Sequence, residues 1–383
     1  MLPQLSPTRV PRVFMTTDIV GGEWQYSLDL AQGLRAYDTA TTLCVLGRAP
    51  NGEQRASARR VPGLNLISLD VALDWSAANP DQVIDAAAQV VAAARASHPT
   101  VVHLNTPALA AIDGYPAPVV AVCHSCLATW WQAVRSRPLT RGRRWHRDLV
   151  GKGLRNADAV VAPSAAFAGS LSGIYNLGRR PSVVYNGRRP SVRAAVRDGF
   201  AMPPGPFAFT VGRLWDVGRK ISVLDGAAAR LKIPVLAAGP VRRRAGAPSP
   251  FRHLKTLGPL TDGEISECLA LKPIYVSTAV YEPFGPTVLE AAEAGCALVL
   301  SDIPTYRELW DGAASFVPVD DAAATADRIA MLASDEHARG LLGAAARRRA
   351  RRYTPEVMAA KVQSVYAQLV ANRALQRRPE AAI

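Results

Sequence analysis

Two blocks of alternating strand and helix patterns constrain the fold of this chain more than any other feature. In the first block, short apolar runs are separated by stretches with helical spacing, such as Glu23–Arg35 and Asp81–Ala96. The strands predicted in this block are Val10–Met15, Thr42–Leu46, Leu64–Leu69, Val101–Leu104, Val119–Cys123 and Ala159–Ala162. Because helical segments recur between the strands, the block predicts a parallel, doubly wound sheet.

The alternation restarts after a segment rich in proline and glycine, which includes Met202–Pro206 and marks a domain boundary. The strands predicted beyond it are Phe207–Val211, Val235–Ala238, Ile274–Val276 and Ala297–Leu300. Helices are predicted near Val223–Leu231, Thr287–Ala294 and from Pro355 to about Leu375. A chain of 383 residues also exceeds the usual size of a single core. We therefore predict an α/β protein with two Rossmann-like domains, residues 1–195 and 196–356, and a closing helical segment, 357–383.

Composition limits the class of protein further. Hydrophobic residues make up 49% and charged residues 20% of the chain, which excludes wholesale disorder. No apolar run approaches the ~20 residues that span a bilayer, and the first residues lack the apolar segment of a secretory signal. A cytoplasmic protein is expected. The five scattered cysteines are typical of a reducing compartment. Cys123–Cys126 forms a C-x-x-C pattern, so a zinc or redox role stays an alternative, although the sequence offers no second pair of zinc ligands at a suitable spacing.

The net charge of +14 comes from clusters of basic residues. The three clusters are Arg135, Arg137, Arg141, Arg143, Arg144, Arg147, Lys152 and Arg155; Arg242, Arg243, Arg244 and Arg252; and Arg347, Arg348, Arg349, Arg351 and Arg352. Such clusters attract nucleic acid, anionic lipid or phosphorylated substrates, or they form a solvated surface. Only Trp145 interrupts the first cluster, too few aromatic residues for stacking single-stranded nucleic acid. We expect no specific nucleic acid, and an anionic membrane surface as a peripheral partner.

The segment Tyr281–Gly295 contains two glutamates eight residues apart, Glu282 and Glu290. Glu282 is predicted to lie in a strand-end loop and Glu290 in the second turn of a helix that begins at Pro286. Ligands of open α/β sheets bind at the carboxyl ends of strands, where carboxylates suit sugar and ribose hydroxyls. The free amides from Phe284 through Gly285 to Thr287 would favour a phosphate or a polar sugar atom.

This segment resembles the E-x7-E signature of the family-four retaining glycosyltransferases of the GT-B fold. The similarity continues through Gly295–Glu308 and, more loosely, covers nearly the whole chain. It implies two Rossmann-like domains facing a cleft, with a nucleotide-sugar domain second and a last helix that packs back on the first. It also implies that Glu282 contacts the donor sugar and Glu290 the ribose of the nucleotide. Pro286 departs from the family, which usually has an aliphatic residue there.

A second segment, Phe209–Lys220, carries three cations after a predicted strand. A strand that ends in Gly-Arg, followed by another cation within one loop, can straddle a pyrophosphate and compensate the charge of a leaving group. The segment is similar to the G-R-L…K phosphate loop of the same family. The resemblance makes Arg213 one of the phosphate ligands, whereas the usual lysine spacing falls on Arg219 with Lys220 next to it, so both remain candidates.

The first domain offers further candidates. Gly21 and Gly22 follow the first strand, and paired glycines let backbone amides approach a phosphate closely. The resembled family has such a loop beside the donor phosphates and the acceptor, and often an apolar residue where Glu23 stands. His124 matches the family histidine that borders the transferred sugar. Ser164, Asn186 and Gly187 resemble positions that line the cleft.

Missing motifs narrow the chemistry. No D-x-D occurs, so no metal is expected, and G-x-S-x-G, H-E-x-x-H and Walker patterns are also absent. The resemblance implies a hexosyltransferase of polysaccharide biosynthesis that moves sugar from a nucleotide-diphosphate donor to a hydroxyl acceptor. Its mechanism would be front-face substitution with retention and without a metal. Two alternatives stay open: a sugar-nucleotide epimerase of the same fold and a non-catalytic protein that binds polyanions.

Overall fold

The computed structural model describes residues 11–135, 137–190, 202–241 and 250–376. The chain divides into two compact units. Unit 1 comprises Met1–Thr129, Pro138–Gly187 and Pro355–Ile383, and unit 2 comprises Trp130–Arg137 and Arg188–Thr354. The boundary predicted between residues 195 and 196 lies outside the described residues. The division also assigns a short segment of the predicted first domain, Trp130–Arg137, to unit 2.

The described residues contain thirteen strands, thirteen α-helices and several short 3-10 helices. The strands are β1 Arg12–Thr17, β2 Ala40–Leu46, β3 Leu64–Leu69, β4 Val101–Leu104, β5 Val119–Val122, β6 Ala159–Ala162, β7 Ser182–Val183, β8 Ala208–Val211, β9 Val235–Ala238, β10 Lys255–Gly258, β11 Ile274–Ser277, β12 Ala297–Ser301 and β13 Ser315–Val317. The helices are α1 Glu23–Leu34, α2 Gly52–Arg59, α3 Pro80–Ser97, α4 Leu127–Val134, α5 Arg144–Asn156, α6 Ala165–Tyr175, α7 Ile221–Ala228, α8 Asp262–Ala270, α9 Pro286–Ala294, α10 Pro304–Trp310, α11 Ala322–Ser334, α12 Glu336–Ala350 and α13 Pro355–Gln376.

Unit 1 is built on a seven-stranded parallel sheet in the order β3-β2-β1-β4-β5-β6-β7. Its central strands β4 and β5 are buried along their whole length, as both faces of a parallel sheet require. Local signals start the helices: Asn51 caps α2 through a capping box with Gln54, and the side chain of Asn79 caps α3 ahead of Pro80.

The last helix, α13, packs on α1 within unit 1. Met358, Ala359, Val362 and Tyr366 are buried in the same cluster as the apolar face of α1. Gly33 permits this contact, because a Cβ there would lie 2.6 Å from the Cβ of Ala359. A side chain at residue 33 would therefore separate the two helices.

Unit 2 is built on a six-stranded parallel sheet in the order β10-β9-β8-β11-β12-β13. The edge strands β10 and β13 were not predicted, because they are short and only partly buried, so their sequences lack a continuous apolar run. The prediction of doubly wound parallel sheets is confirmed in both units. No helix among the described residues is long and apolar enough to cross a bilayer.

Candidate functional site

The strand order of unit 2 reverses between β8 and β11, so a crevice forms where their carboxyl ends diverge. Gly212 follows β8 and Gly239 follows β9. A Cβ at Gly239, where φ is +138°, would lie only 1.8 Å from the carbonyl oxygen of Gly212. The close approach of these two strand ends therefore requires glycine at residue 239.

Arg219 and Glu282 meet at this crevice. The guanidinium Nη1 of Arg219 lies 3.2 Å from Oε2 of Glu282, and their side chains are 18% and 9% exposed. Burial by itself would lower the pKa of Arg219, but the carboxylate of Glu282 raises it above its ordinary value. The hydroxyl of Thr278 donates to the carbonyls of Arg219 and Lys220, both at 3.0 Å, and holds the loop in place. A charged pair is thus fixed at the strand ends.

The other two predicted cations point elsewhere. Lys220 has a left-handed backbone, with φ at 51°, and its Nζ lies 2.9 Å from Asp320, after β13. Arg213 is 60% exposed, pairs loosely with Asp216 at 3.6 Å and lies over the ring of Trp215. Of the candidate pair, the structure brings Arg219 to Glu282 and not Lys220.

Helix α9 begins beside Glu282. Gly285 has φ at +89°, and Pro286 occupies the first helical position, as predicted from its fixed backbone angle. Within the described residues, the amides of Gly285 and Thr287 donate no hydrogen bond to another element. The ring of Phe284 is buried and packs edge-on against Tyr353, so only its backbone can face a ligand.

Glu290 carries a partner that sequence reasoning missed. Its carboxylate is ion-paired with Nε of Arg188, which also lies 3.2 Å from Asp262. The side chains of Arg188 and Glu290 are 13% and 15% exposed. A ribose that binds Glu290 must share or displace this guanidinium. The sequence signal was present, since Arg188 directly follows the noted Asn186-Gly187.

In unit 1 the strand order reverses between β1 and β4, and the Gly21-Gly22 loop follows β1. Oδ1 of Asp18 accepts the amide of Val20 at 2.8 Å and that of Gly21 at 3.3 Å. The amide of Gly21 is therefore partly satisfied by the protein, which the sequence did not indicate. A Cβ at Gly21 or Gly22 would meet nothing within 4 Å, so the space beside the loop is open.

Glu23 begins α1 directly after this loop and is half-buried. Burial, together with the charges of Asp18 and Asp74, holds its pKa well above the ordinary value. Asp18 accepts the indole N–H of Trp75 at 3.3 Å, and Asp74 lies 3.0 Å from His146. The loop therefore presents a carboxyl that resists ionisation.

His124 follows β5 and is half-buried. Its Nε2 lies 3.0 Å from Oδ1 of Asn105, and Tyr26 packs edge-on against its ring at 4.3 Å between centroids. Burial and the neighbouring His103 lower the pKa of His124 to about 3. The ring is therefore neutral near pH 7. Sequence reasoning missed Asn105 and His103, although both stand at the end of an apolar strand pattern.

Two of the remaining candidates, Ser164 and Gly187, have structural contacts. Ser164 is buried and caps α6 by accepting the amide of Phe167, and the amide of Gly187 donates to the sulfur of Met358. None of the five cysteines forms a disulfide, and all five are buried. A hydrogen bond from Cys123 lowers the pKa of Cys126 to about 6 and raises that of Cys123.

The first basic cluster is divided between the units. The residues Arg144, Arg147, Lys152 and Arg155 are exposed on α5, whose other face buries His146, Val150 and Leu154. Arg135 and Arg137 belong to unit 2, where they stack over Trp130 and Trp131, so the cluster is not confined to the first domain as predicted. Arg242, Arg243 and Arg244 lie outside the described residues.

Comparison with known proteins agrees with this architecture. Residues 20–191 match Glycosyltransferase Family 4, and residues 244–349 match Glycosyl transferases group 1. The chain therefore belongs to the family-four-like glycosyltransferases of the GT-B fold. It is 30% identical over 236 residues to the phosphatidyl-myo-inositol mannosyltransferase of Mycolicibacterium smegmatis, covering 58% of this chain and 54% of that protein. The chain spans less than two thirds of the length of this relative and of its Mycobacterium leprae counterpart.

Two solved structures share the fold. Sucrose-phosphate synthase from Thermosynechococcus elongatus superposes with a TM-score of 0.75 at 18% identity, covering 94% of this chain and all of that one. HepE from Anabaena, solved in complex with UDP and glucose, superposes with a TM-score of 0.69 at 16% identity, with the same coverage. The GT-B fold expected from the sequence is thereby confirmed.

Proposed function

We propose that this protein transfers a hexose from a nucleotide-diphosphate sugar to a hydroxyl acceptor, with retention of configuration and without a metal. The observation that carries the proposal is the Arg219–Glu282 pair between the ends of β8 and β11. A cation fixed there can compensate the charge that develops on a departing diphosphate, which is otherwise the task of a bound metal.

The proposed step is a front-face substitution. The acceptor oxygen forms a bond to the anomeric carbon while the bond from that carbon to the phosphate oxygen breaks. The acceptor proton passes to the departing phosphate oxygen, so no protein base is needed. Arg219 stabilises the leaving diphosphate, and the carboxylate of Glu282 receives hydrogen bonds from the sugar hydroxyls.

The nucleotide half of the donor is assigned to α9 and its surroundings. Amides at the start of a helix favour an anion, and those of Gly285 and Thr287 are available at α9. Glu290 would accept the ribose hydroxyls in exchange for part of its contact with Arg188. HepE, with a similar fold, was solved with UDP and glucose, which makes a uridine donor the first to test.

The acceptor is assigned to unit 1, near Gly22, Glu23 and His124. The names of the mycobacterial relatives describe mannosyl transfer to phosphatidyl-myo-inositol, an anionic lipid. The exposed basic face of α5 suits an anionic headgroup or a membrane surface. We therefore propose a lipid-linked or phosphate-bearing acceptor at a peripheral membrane site.

The decisive experiment incubates the full chain with radiolabelled UDP-, GDP-, ADP- and TDP-hexoses, with and without lipid extract and with EDTA present throughout. Acceptor-dependent transfer of label, with the anomeric configuration retained, is the expected result. An epimerised or free sugar formed without acceptor would favour the epimerase. A polyanion-binding protein would be favoured if the chain transferred no sugar and bound DNA in a salt-sensitive way that Arg219→Met did not change.

Variants distinguish the two candidate cations. Arg219→Met should lower kcat by about 10²–10³-fold, by analogy with removal of one donor from an oxyanion hole. Lys220→Met should cost less, because its ammonium is held by Asp320. An equal or larger loss for Lys220→Met would reverse the assignment.

The membrane proposal has its own test. Sedimentation with anionic vesicles at low salt should be weakened by Arg144→Ala/Lys152→Ala on α5. The matched control, Arg347→Ala/Arg348→Ala, removes the same charge from the exposed face of α12. Equal weakening by both pairs, or equal binding to neutral vesicles, would refute a specific role for α5.

A further inference from the structure

A buried chain of hydrogen bonds leads from α13 to His124 within unit 1. The hydroxyl of Tyr366 lies 2.6 Å from Nδ1 of His103, and Nε2 of His103 lies 3.1 Å from Oδ1 of Asn105. The same oxygen lies 3.0 Å from Nε2 of His124. Tyr366, His103 and Asn105 are 3%, 0% and 3% exposed, so water does not compete for these contacts.

The orientation of the Asn105 amide follows from its other contacts. Nδ2 lies 2.7 Å from the carbonyl oxygen of Thr16 and 3.1 Å from the hydroxyl of Ser27. A carbonyl oxygen only accepts hydrogen bonds, so the NH₂ group must face Thr16. The Oδ1 atom of Asn105 must then face both imidazoles.

This orientation determines where the imidazole protons reside. An amide oxygen only accepts, so both His103 and His124 must carry a hydrogen on Nε2. Burial lowers the pKa of His103 to about 4, although the contact with Asn105 opposes the effect, and that of His124 is lowered to about 3. Both rings are therefore neutral near pH 7 and have a bare Nδ1. Nδ1 of His103 accepts a hydrogen bond from the hydroxyl of Tyr366. This contact keeps the ring hydrogen of His103 on Nε2, where it is donated to Asn105.

His124 differs from His103 in one respect. No hydrogen bond from the described residues reaches its Nδ1, and the ring is half-buried rather than enclosed. A bare Nδ1 on a neutral ring can accept a hydrogen bond but cannot donate one. Its natural partner is a hydroxyl group.

We propose that Asn105 is a positioning residue that holds His124 in the Nε2–H tautomer, so that Nδ1 of His124 accepts a hydrogen bond from a hydroxyl of the substrate that unit 1 binds. His103 and Tyr366 support Asn105 by fixing the orientation of its amide. The inference rests on the proposed function for the identity of that substrate. It makes His124 a hydrogen-bond acceptor and not a proton carrier.

The tautomer is measured on the full chain labelled with ¹⁵N-histidine, by long-range ¹H–¹⁵N spectra at pH 7. Loss of one signal set in His124→Ala assigns the residue. The wild type should show His124 with hydrogen on Nε2 and a bare Nδ1. Asn105→Ala should replace that pattern by a mixture of tautomers. Ser27→Ala is the matched control, because it removes one amide contact but leaves the Thr16 carbonyl, and it should preserve the pattern.

Kinetics test whether Asn105 acts through His124. Asn105→Ala and His124→Ala should each lower kcat/KM for sugar transfer by roughly two- to tenfold, the loss expected for one neutral hydrogen bond. The double variant should lose no more than His124→Ala alone, because the two residues form one contact.

Three results would overturn the inference: a hydrogen on Nδ1 of His124 in the wild type, an unchanged His124 spectrum in Asn105→Ala, or losses in kcat/KM that multiply. The tautomer measurement needs no substrate. Absence of any sugar transfer would therefore refute the proposed function while the spectra still decide the role of Asn105.

Discussion

Replacing Arg219 by methionine should destabilise unit 2 strongly. The substitution keeps the length and apolar stem of the side chain but removes the charge that faces Glu282. Because the carboxylate of Glu282 is only 9% exposed, it cannot recover water in exchange for the lost guanidinium. The variant is left with an uncompensated, nearly buried charge.

The size of the effect follows from this burial. Breaking a buried ion pair by removing one partner costs about 3–5 kcal/mol, whereas an exposed pair contributes about 0–1 kcal/mol. For a unit of this size, each kcal/mol lowers Tm by about 2–4 °C. Arg219→Met should therefore lower the Tm of the affected transition by roughly 6–20 °C. The double variant Arg219→Met/Glu282→Gln should recover most of this loss, since it removes the orphaned charge.

Differential scanning calorimetry of the full chain measures the shift. Arg213→Met is the matched control, because the same substitution falls in the same loop on a side chain that is 60% exposed. It should change stability by less than about 0.5 kcal/mol. If Arg219→Met and Arg213→Met shift Tm equally, or if the double variant is no more stable than Arg219→Met, the burial argument is wrong.

Three further outcomes are expected. Arg188→Ala should tighten binding of a nucleoside diphosphate in isothermal titration calorimetry, because ribose hydroxyls no longer compete with a guanidinium for Glu290. Folding raises the pKa of the Glu23 carboxyl above its unfolded value near 4.5, so the protonated carboxyl contributes its full stability below that value. This contribution is lost as the pH rises through the folded pKa. Glu23→Gln should therefore become increasingly stable relative to the wild type as the pH rises. Gly33→Val should cost about 1–3 kcal/mol, because its Cβ would overlap Ala359, and should speed hydrogen exchange in α13.

Each of these outcomes has a contrary result. Weaker nucleotide binding in Arg188→Ala would show that this guanidinium contacts the ligand rather than competing with it. For Glu23→Gln, urea denaturation measures the difference in stability between the variant and the wild type at pH 5 and at pH 8. An equal difference at the two pH values would contradict the raised pKa of Glu23. Gly52→Ala, in α2 with no atom within 4 Å of the new Cβ, is the control for Gly33→Val. Equal exchange rates in both variants would refute the close packing of α13 on α1.

The acidic motif could be predicted from the sequence because it depends only on residues that are close together in the chain. Pro286 at the first turn and Gly295 at the end define α9 within ten residues, so the positions of Glu282 and Glu290 followed from the sequence. The choice between Arg219 and Lys220 was not local in this sense. It depends on the left-handed backbone of Lys220 and on Asp320, a hundred residues away, which holds its ammonium.

The contacts that complete the candidate site come from distant segments. Tyr366 lies 263 residues from His103, and Arg188 is 102 residues from Glu290, so no periodicity or spacing could pair them. Hydropathy patterns report which face of an element is buried, but not which polar group from another element meets it there.

The alternation of strands and helices, the expectation of two parallel sheets and the acidic motif could be read from the sequence alone, apart from the short edge strands β10 and β13. Backbone propensities and apolar periodicity act over a few residues, which is why these features are visible there. Which cation faces Glu282, which guanidinium holds Glu290 and which nitrogen of His124 is bare were decided only by the tertiary structure. Side-chain charge and hydrogen bonding depend on neighbours that packing brings together from remote parts of the chain.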